Sequence, residues 1–223
     1  MLKFLQSFKS LPSAWLLAVQ LMMLFTAPLT HQIFNHHAFA WFLGTLALLM
    51  VAQIIRVTAI YTVIGMICVI PALVLSLAVM LGADSPNILI TAHLFEASAY
   101  LCAAYGLTRY MFDDRYLTRD ELFAAASVFT LLVWAFAFMY SACQLWDVNS
   151  FNLENGQARS WVDLIFISFS VQTGTGLSDI VPQSDMARVL VSLQMFGAVM
   201  YLALIVSRLI ALQYIRHVPR KKE

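Results

Sequence analysis

Val171 to Asp179 read VQTGTGLSD. Two glycines, two threonines and a serine beside an acid interrupt a chain that is otherwise mostly hydrocarbon. A short apolar stretch, Trp161–Val171, runs before them and a long one, Met186–Tyr214, follows. Backbone that leaves helical geometry inside a bilayer exposes N–H and C=O groups that lipid cannot satisfy. It is tolerated only where protein buries it or where it lines a watery cavity.

The composition makes a bilayer the expected surrounding. Of 223 residues, 61% are apolar and 11% charged, and the mean hydropathy is +0.80. That balance belongs to polytopic membrane proteins. The net charge of +1 argues against nucleic acid as a partner. Cys68, Cys102 and Cys143 lie in apolar stretches without paired or metal-type spacing, so they read as small hydrophobes and not as a disulfide framework. The first apolar run follows Lys3 and Lys9 as a signal peptide would, but no small-residue cleavage site follows it, and it is taken as the first span.

A hydrocarbon core of about 30 Å takes about 20 apolar residues in a helix. On that ruler six spans are expected: Ser13–Leu29, Ala38–Ile55, Val57–Leu81, Ile88–Leu107, Glu121–Leu145 and Met186–Tyr214. Trp161–Val171 is too short to cross and reads as a re-entrant half-helix between the fifth and sixth. The fold class is therefore an all-α membrane protein. With both termini cytoplasmic, the inner segments hold Lys3, Lys9, Arg56, Arg109, Arg115, Arg119, Arg216, Arg220, Lys221 and Lys222, against Arg159 and Arg188 outside. The outer segments carry Asp84, Asp147, Glu154, Asp179 and Asp185, either an acidic rim that concentrates cations or simply what the basic bias of the inner segments leaves behind. The charged stretch TRYMFDDRYLTRDE, residues 108–121, divides a four-helix unit, 1–117, from a second unit, 118–223. Thr118 and Glu121 have capping-box spacing at the start of the fifth span.

An ion in a membrane must be offered oxygens that replace its water, and aimed backbone carbonyls supply them. Glycine permits the angles that aim successive carbonyls at one axis. A half-helix ending at such a loop turns its electronegative end toward a cation. SWVDLIFISFSVQTGTGLSDIVPQSDMARVL, residues 160–190, resembles the pore of tetrameric potassium channels, whose usual pattern is a threonine pair followed by Val-Gly-Tyr-Gly-Asp. Aligned on Asp179 and DIVP, the resemblance implies a selectivity filter of Thr173, Gly174, Thr175, Gly176, Leu177, Ser178 and Asp179. DLIFISF, residues 163–169, is similar to the aromatic-rich pore helix, and Arg188 with GAVMYLALIVSRL, residues 197–209, to the inner helix. The likeness covers roughly the last hundred residues. The first four spans match only as the extra spans of six-span members.

The departures bear on selectivity. Gly174 replaces a threonine whose hydroxyl forms part of the innermost ion site in that family. Leu177 replaces a tyrosine that braces the filter, and Ser178 a glycine held in a left-handed conformation, which costs an L-residue about 1 kcal/mol or more. The resemblance thus implies a homotetrameric channel that conducts K⁺, and with relaxed selectivity Na⁺, through an altered filter. No cofactor is expected beyond the permeant ions, no resident metal, no enzymatic activity, and no partner beyond further copies and membrane lipids. A compact chain of this kind fits a bacterial inner membrane. The alternative is a non-conducting pore scaffold that serves as a regulatory or interaction subunit.

Further candidates lie elsewhere. Asn87–Leu107, containing the fourth span, has no arginine, which argues against voltage sensing. His93 and Glu96 share one face of that span, either as a proton or cation site or as a hydrogen-bonded pair. His31, His36 and His37 crowd one outer loop, where imidazoles can sense pH or bind metal. Gly197, midway along the last span, is either a gating hinge or a site of close packing beside Ala198. Asp163 is expected to cap the half-helix or meet Arg159, and Arg188 to pair with Asp185. Gly-x-Ser-x-Gly is absent, as is any internal repeat with a second broken helix, which argues against a serine hydrolase and a secondary transporter.

Overall fold

Ala124, Ala125, Ser127, Ala135, Ala137 and Ala142 set small side chains on several faces of one apolar stretch, so neighbours can approach it closely from more than one side. In the computed structural model, which describes residues 12–32, 59–82, 85–113, 119–154 and 156–217, this stretch is the central helix. Among the described residues the α-helices are α1 (Pro12–Gln32), α2 (Ala59–Met80), α3 (Pro86–Asp113), α4 (Arg119–Trp146), α5 (Trp161–Thr173) and α6 (Asp185–His217). A 3₁₀ turn, Val148–Ser150, follows α4. Helices α1, α3, α5 and α6 all pack on α4, and α2 packs on α3.

Pro86–Phe112, Asp120–Trp146 and Asp185–Ala211 are long and apolar enough to cross a membrane. Ser13–Ala27 and Met66–Val79 are shorter apolar helices among the described residues. The expected second span, Ala38–Ile55, lies outside the described residues, as do Arg56, His36, His37, Asp84 and Thr118 with its expected capping box. His31 falls in the last turn of α1.

Helix α3 buries one stripe: Ala92, Glu96, Ala97, Tyr100, Ala103, Ala104, Leu107 and Met111 recur at helical spacing. That stripe meets the alanines of α4, and one hydrophobic cluster runs from Leu16 of α1 through Val69, Tyr100, Leu131 and Trp134 to Ile165 of α5 and Ile205 of α6. The cluster therefore crosses the boundary at 117/118. Packing of α2 on α3 also brings the free thiols of Cys68 and Cys102 within hydrogen-bonding reach.

Polar side chains pin α1 to α4. Pro12 opens α1, and the N–H groups of its first turn have no partner within the helix. The carboxylate of Asp120 accepts one of them, from Ser13, at 3.2 Å, and the Ser13 hydroxyl at 2.9 Å. The Ser127 hydroxyl donates to the Ser13 carbonyl at 3.0 Å, and farther along Thr130 Oγ1 donates to Gln20 Oε1 at 2.7 Å. At the same end of the bundle as Ser13 and Asp120, Arg208 of α6 donates from Nε to the Met111 carbonyl in the last turn of α3, at 2.8 Å, and lies over the Phe112 ring.

The segment after α4 returns past the segment before α6. Phe151 and Pro182 form an isolated antiparallel bridge, with Asn152 N–H donating to the Val181 carbonyl at 3.0 Å and Gln183 N–H to that of Ser150 at 2.8 Å. Phe151 is buried edge-on against Tyr140, in a second cluster with Leu164, Ile167, Ile180 and Val191. This bridge gathers both ends of the α5 excursion at one end of α4.

Candidate functional site: a tethered loop at the end of a short buried helix

Helix α5 begins where Ser160 and Asp163 cap each other. The Ser160 hydroxyl accepts the Asp163 N–H at 3.3 Å, and the Asp163 carboxylate accepts the Ser160 N–H at 2.9 Å. This reciprocal box satisfies two of the N–H groups that a helix start leaves open. Of the two roles expected for Asp163, the structure shows the cap. Arg159 turns elsewhere.

The helix runs 13 residues, about 20 Å, short of a hydrocarbon core. Leu164, Ile165, Ile167, Ser168, Ser170 and Gln172 are buried. The half-helix extends past Val171 to include Thr173, and Gly174 ends it. Gly174 adopts φ +69°, its N–H bonds the Val171 carbonyl at 3.1 Å, and the Thr175 N–H bonds that of Ser170 at 3.2 Å. Paired bonds of this kind around a left-handed residue terminate a helix and favour glycine there. Gly174 thus replaces a hydroxyl in the expected pattern and supplies a helix stop.

Beyond Gly174 the chain is irregular, and residues 175–177 are exposed. Gly176 is also left-handed, at φ +64°. Thr173 and Thr175 hydroxyls lie 3.1 Å apart, and that of Thr173 donates to the Phe169 carbonyl at 2.8 Å. Leu177 is 71% exposed, so its side chain does not brace the loop within the protomer. The Ser178 hydroxyl accepts the Ile180 N–H at 3.1 Å, closing a local turn before Ile180 buries itself.

The far end of the loop is tied to residues 152–159. Arg159, buried among exposed neighbours, sends Nη1 to Asp179 Oδ2 at 3.2 Å and to Glu154 Oε2 at 3.7 Å. Its Nε donates to the Asn152 carbonyl at 2.7 Å. Asn152 in turn donates to the Asp179 carbonyl at 3.0 Å and accepts the Val181 N–H at 2.6 Å. Gln144 at the end of α4 fixes the Arg159 backbone, accepting its N–H at 3.0 Å and donating to its carbonyl at 2.9 Å. Arg188 donates to the Pro182 carbonyl at 3.4 Å, and the expected pairing with Asp185 does not form.

The near end is held by a buried amide. Gln194 of α6 donates from Nε2 to the Ser168 carbonyl at 3.1 Å, the Ser168 hydroxyl at 2.9 Å and Gln172 Oε1 at 3.2 Å. Its Oε1 accepts from the Tyr140 hydroxyl of α4. The Ser168 hydroxyl continues to the Val133 carbonyl of α4 at 2.8 Å. Sequence reasoning passed over Gln194, Ser168, Gln172, Tyr140, Asn152 and Gln144. One signal was present: Gln194 is an amide inside the apolar run of α6, where an unpaired polar group is costly.

His93 and Glu96 do meet. Their Nδ1 and Oε2 atoms lie 2.9 Å apart, and the Ser76 hydroxyl of α2 donates to the other Glu96 oxygen at 2.9 Å. The His93 ring lies parallel to Trp161, the first residue of α5, with centroids 6.4 Å apart, and beside Phe138 of α4. Gly197 sits inside continuous α6, and a Cβ there would meet nothing within 4 Å. Close packing inside the protomer does not account for that glycine. Among the described residues no group of three His, Cys, Asp or Glu is arranged to hold a metal.

Residues 127–213 match the sequence model of a two-helix pore-loop family described as "Ion channel". The matched stretch takes in most of α4, all of α5, the loop and most of α6. Together with the long apolar helices it identifies a membrane protein, and it points to transport rather than to an enzyme. No curated protein and no solved structure matches the chain.

Proposed function

We propose that the chain assembles as a homotetrameric channel that conducts monovalent cations, K⁺ and also Na⁺, passively across a plasma membrane. In this reading six spans carry both termini inside, and residues 1–117 are a scaffold that lacks voltage-sensing arginines. Residues 118–223 are the pore module, and α5 is its re-entrant helix. Thr173, Gly174, Thr175, Gly176, Leu177, Ser178 and Asp179 line the ion path, and Gly197 gives α6 freedom to bend.

One observation carries it. A loop with two left-handed glycines hangs, exposed, from the carbonyl end of a helix too short to cross, and is tied down at both ends. Exposed backbone at that depth is tolerable only beside water, and the helix end favours a cation there. One protomer cannot enclose an ion path. Symmetric copies around an axis can, and α6 offers them a large apolar surface: Val189, Leu193, Phe196, Val199 and Ile210 are each more than half exposed.

The test is ion flux through purified protein in liposomes, under K⁺ and then Na⁺ gradients. Flux of both ions, lost on bulky substitution at Gly176, supports the reading. Flux of K⁺ alone would remove the relaxed selectivity. An intact tetramer that passes neither ion would favour the non-conducting scaffold.

A further inference from the structure

Leu177 cannot donate a hydrogen bond, and its side chain stands in the open. Something else must hold the loop at a fixed distance from its axis. The first half of the loop is tied to α5 alone: Gly174 and Thr175 bond the Val171 and Ser170 carbonyls, and Thr173 those of Phe169 and Ser170. The loop can be no better placed than the last two turns of α5.

Those turns are bonded to α4 by the Ser168 hydroxyl and to α6 by one side chain, Gln194. Gln194, fully buried on α6, bonds α5 at Ser168 and Gln172 and accepts from Tyr140 on α4. Gln172 immediately precedes Thr173. A planar amide with both ends engaged sets distance and rotation together, because neither end can move without losing a bond. The bonds are buried, so water cannot replace them when they break.

We infer that Gln194 is a positioning residue for the loop, acting with Tyr140, Ser168 and Gln172 as the brace that Leu177 does not provide, and that selectivity among cations depends on it. This rests on the channel reading above for its selectivity clause, whereas the bracing of the loop stands on the geometry alone. Carbonyls held less firmly discriminate less between ions of different size.

Two readouts on Gln194→Met, which keeps the volume and removes the hydrogen bonds, separate these clauses. The first is backbone hydrogen exchange of residues 174–180 in detergent-solubilised tetramer. The second is the K⁺/Na⁺ permeability ratio from reversal potentials under bi-ionic conditions. Exchange about fivefold or more faster in the loop, the factor expected for one lost hydrogen bond, with a permeability ratio shifted by a similar factor, supports the proposal. An intact tetramer with unchanged loop exchange and unchanged ratio overturns it. If Gln194→Met does not assemble, Tyr140→Phe removes a single bond and nothing else. The same changes at smaller size are then expected, and no change overturns the proposal. If the wild-type protein is silent to both ions, the channel reading and the selectivity clause fall together, and hydrogen exchange still decides the bracing.

Discussion

Arg159 and Asp179 join the two ends of the α5 excursion: Nη1 of a buried guanidinium lies 3.2 Å from a carboxylate that is 74% exposed. The partners are unequal. An ion pair with so exposed an acid contributes at most about 1 kcal/mol, and Asp179→Asn is expected to cost no more than that in thermal unfolding. Arg159→Met also strands the Asn152 carbonyl and is expected to cost roughly 1–3 kcal/mol. If Asp179 sits at the mouth of an ion path, Asp179→Asn lowers conductance at low salt, and the deficit fades toward about 1 M salt as screening shortens to about 3 Å. Conductance measured across a salt series checks this.

Gly174 and Gly176 are replaceable by size but not by hand. A Cβ at either position meets nothing within 4 Å, so the cost of alanine is confined to the left-handed backbone. Each single Gly→Ala change is expected to destabilise by roughly 1–2 kcal/mol. A D-alanine introduced by semisynthesis at the same position carries no such penalty. Comparing the L and D variants in thermal unfolding separates backbone hand from side-chain bulk.

The His93–Glu96 pair is expected to behave as a unit. Glu96 is 4% exposed, and removing His93 leaves its carboxylate, among the described residues, to the Ser76 hydroxyl. Breaking a buried pair by deleting one member costs about 3–5 kcal/mol, while replacing both with apolar groups is often neutral. His93→Leu alone is therefore expected to destabilise strongly, and His93→Leu with Glu96→Met to recover most of the loss. A double-mutant cycle on unfolding in detergent measures the coupling, and simple additivity would contradict it.

Asp120 tests how α1 is held. Asp120→Ala removes the acceptor for both the Ser13 N–H and its hydroxyl, and roughly 1–3 kcal/mol is expected to be lost. Asp120→Asn keeps one acceptor oxygen and is expected to fall between. Protease sensitivity near residue 13 and thermal unfolding report the two effects.

Helices that declare themselves by apolar length were legible: α3, α4 and α6 contain the expected spans, and α3 overruns its own by six residues at its end. The start of α5 was legible too, because Ser160 and Asp163 lie one turn apart and settle their contact locally. What escaped was every partner chosen by folding. Arg159 had an acid nearby in sequence, Asp163, but meets Asp179, which only the Phe151–Pro182 bridge brings alongside. Gln194 stood out as a lone amide, yet nothing in its own helix points to Ser168 or Tyr140. Gly174 was read for the hydroxyl it lacks, because a helix stop is visible only once the helix is known to reach Thr173.

The cap on α1 has a consequence in time. Its acceptor, Asp120, follows Ser13 by 107 positions. At about 5–20 residues per second of synthesis, the amino end of α1 waits about 5–20 s for the residue that closes it. Through that interval α1 is an early-made helix with an unfinished end, and α4 completes it on arrival. Among the described helices, the order of manufacture thus makes the central helix the first support that the first helix receives, with α5 following it.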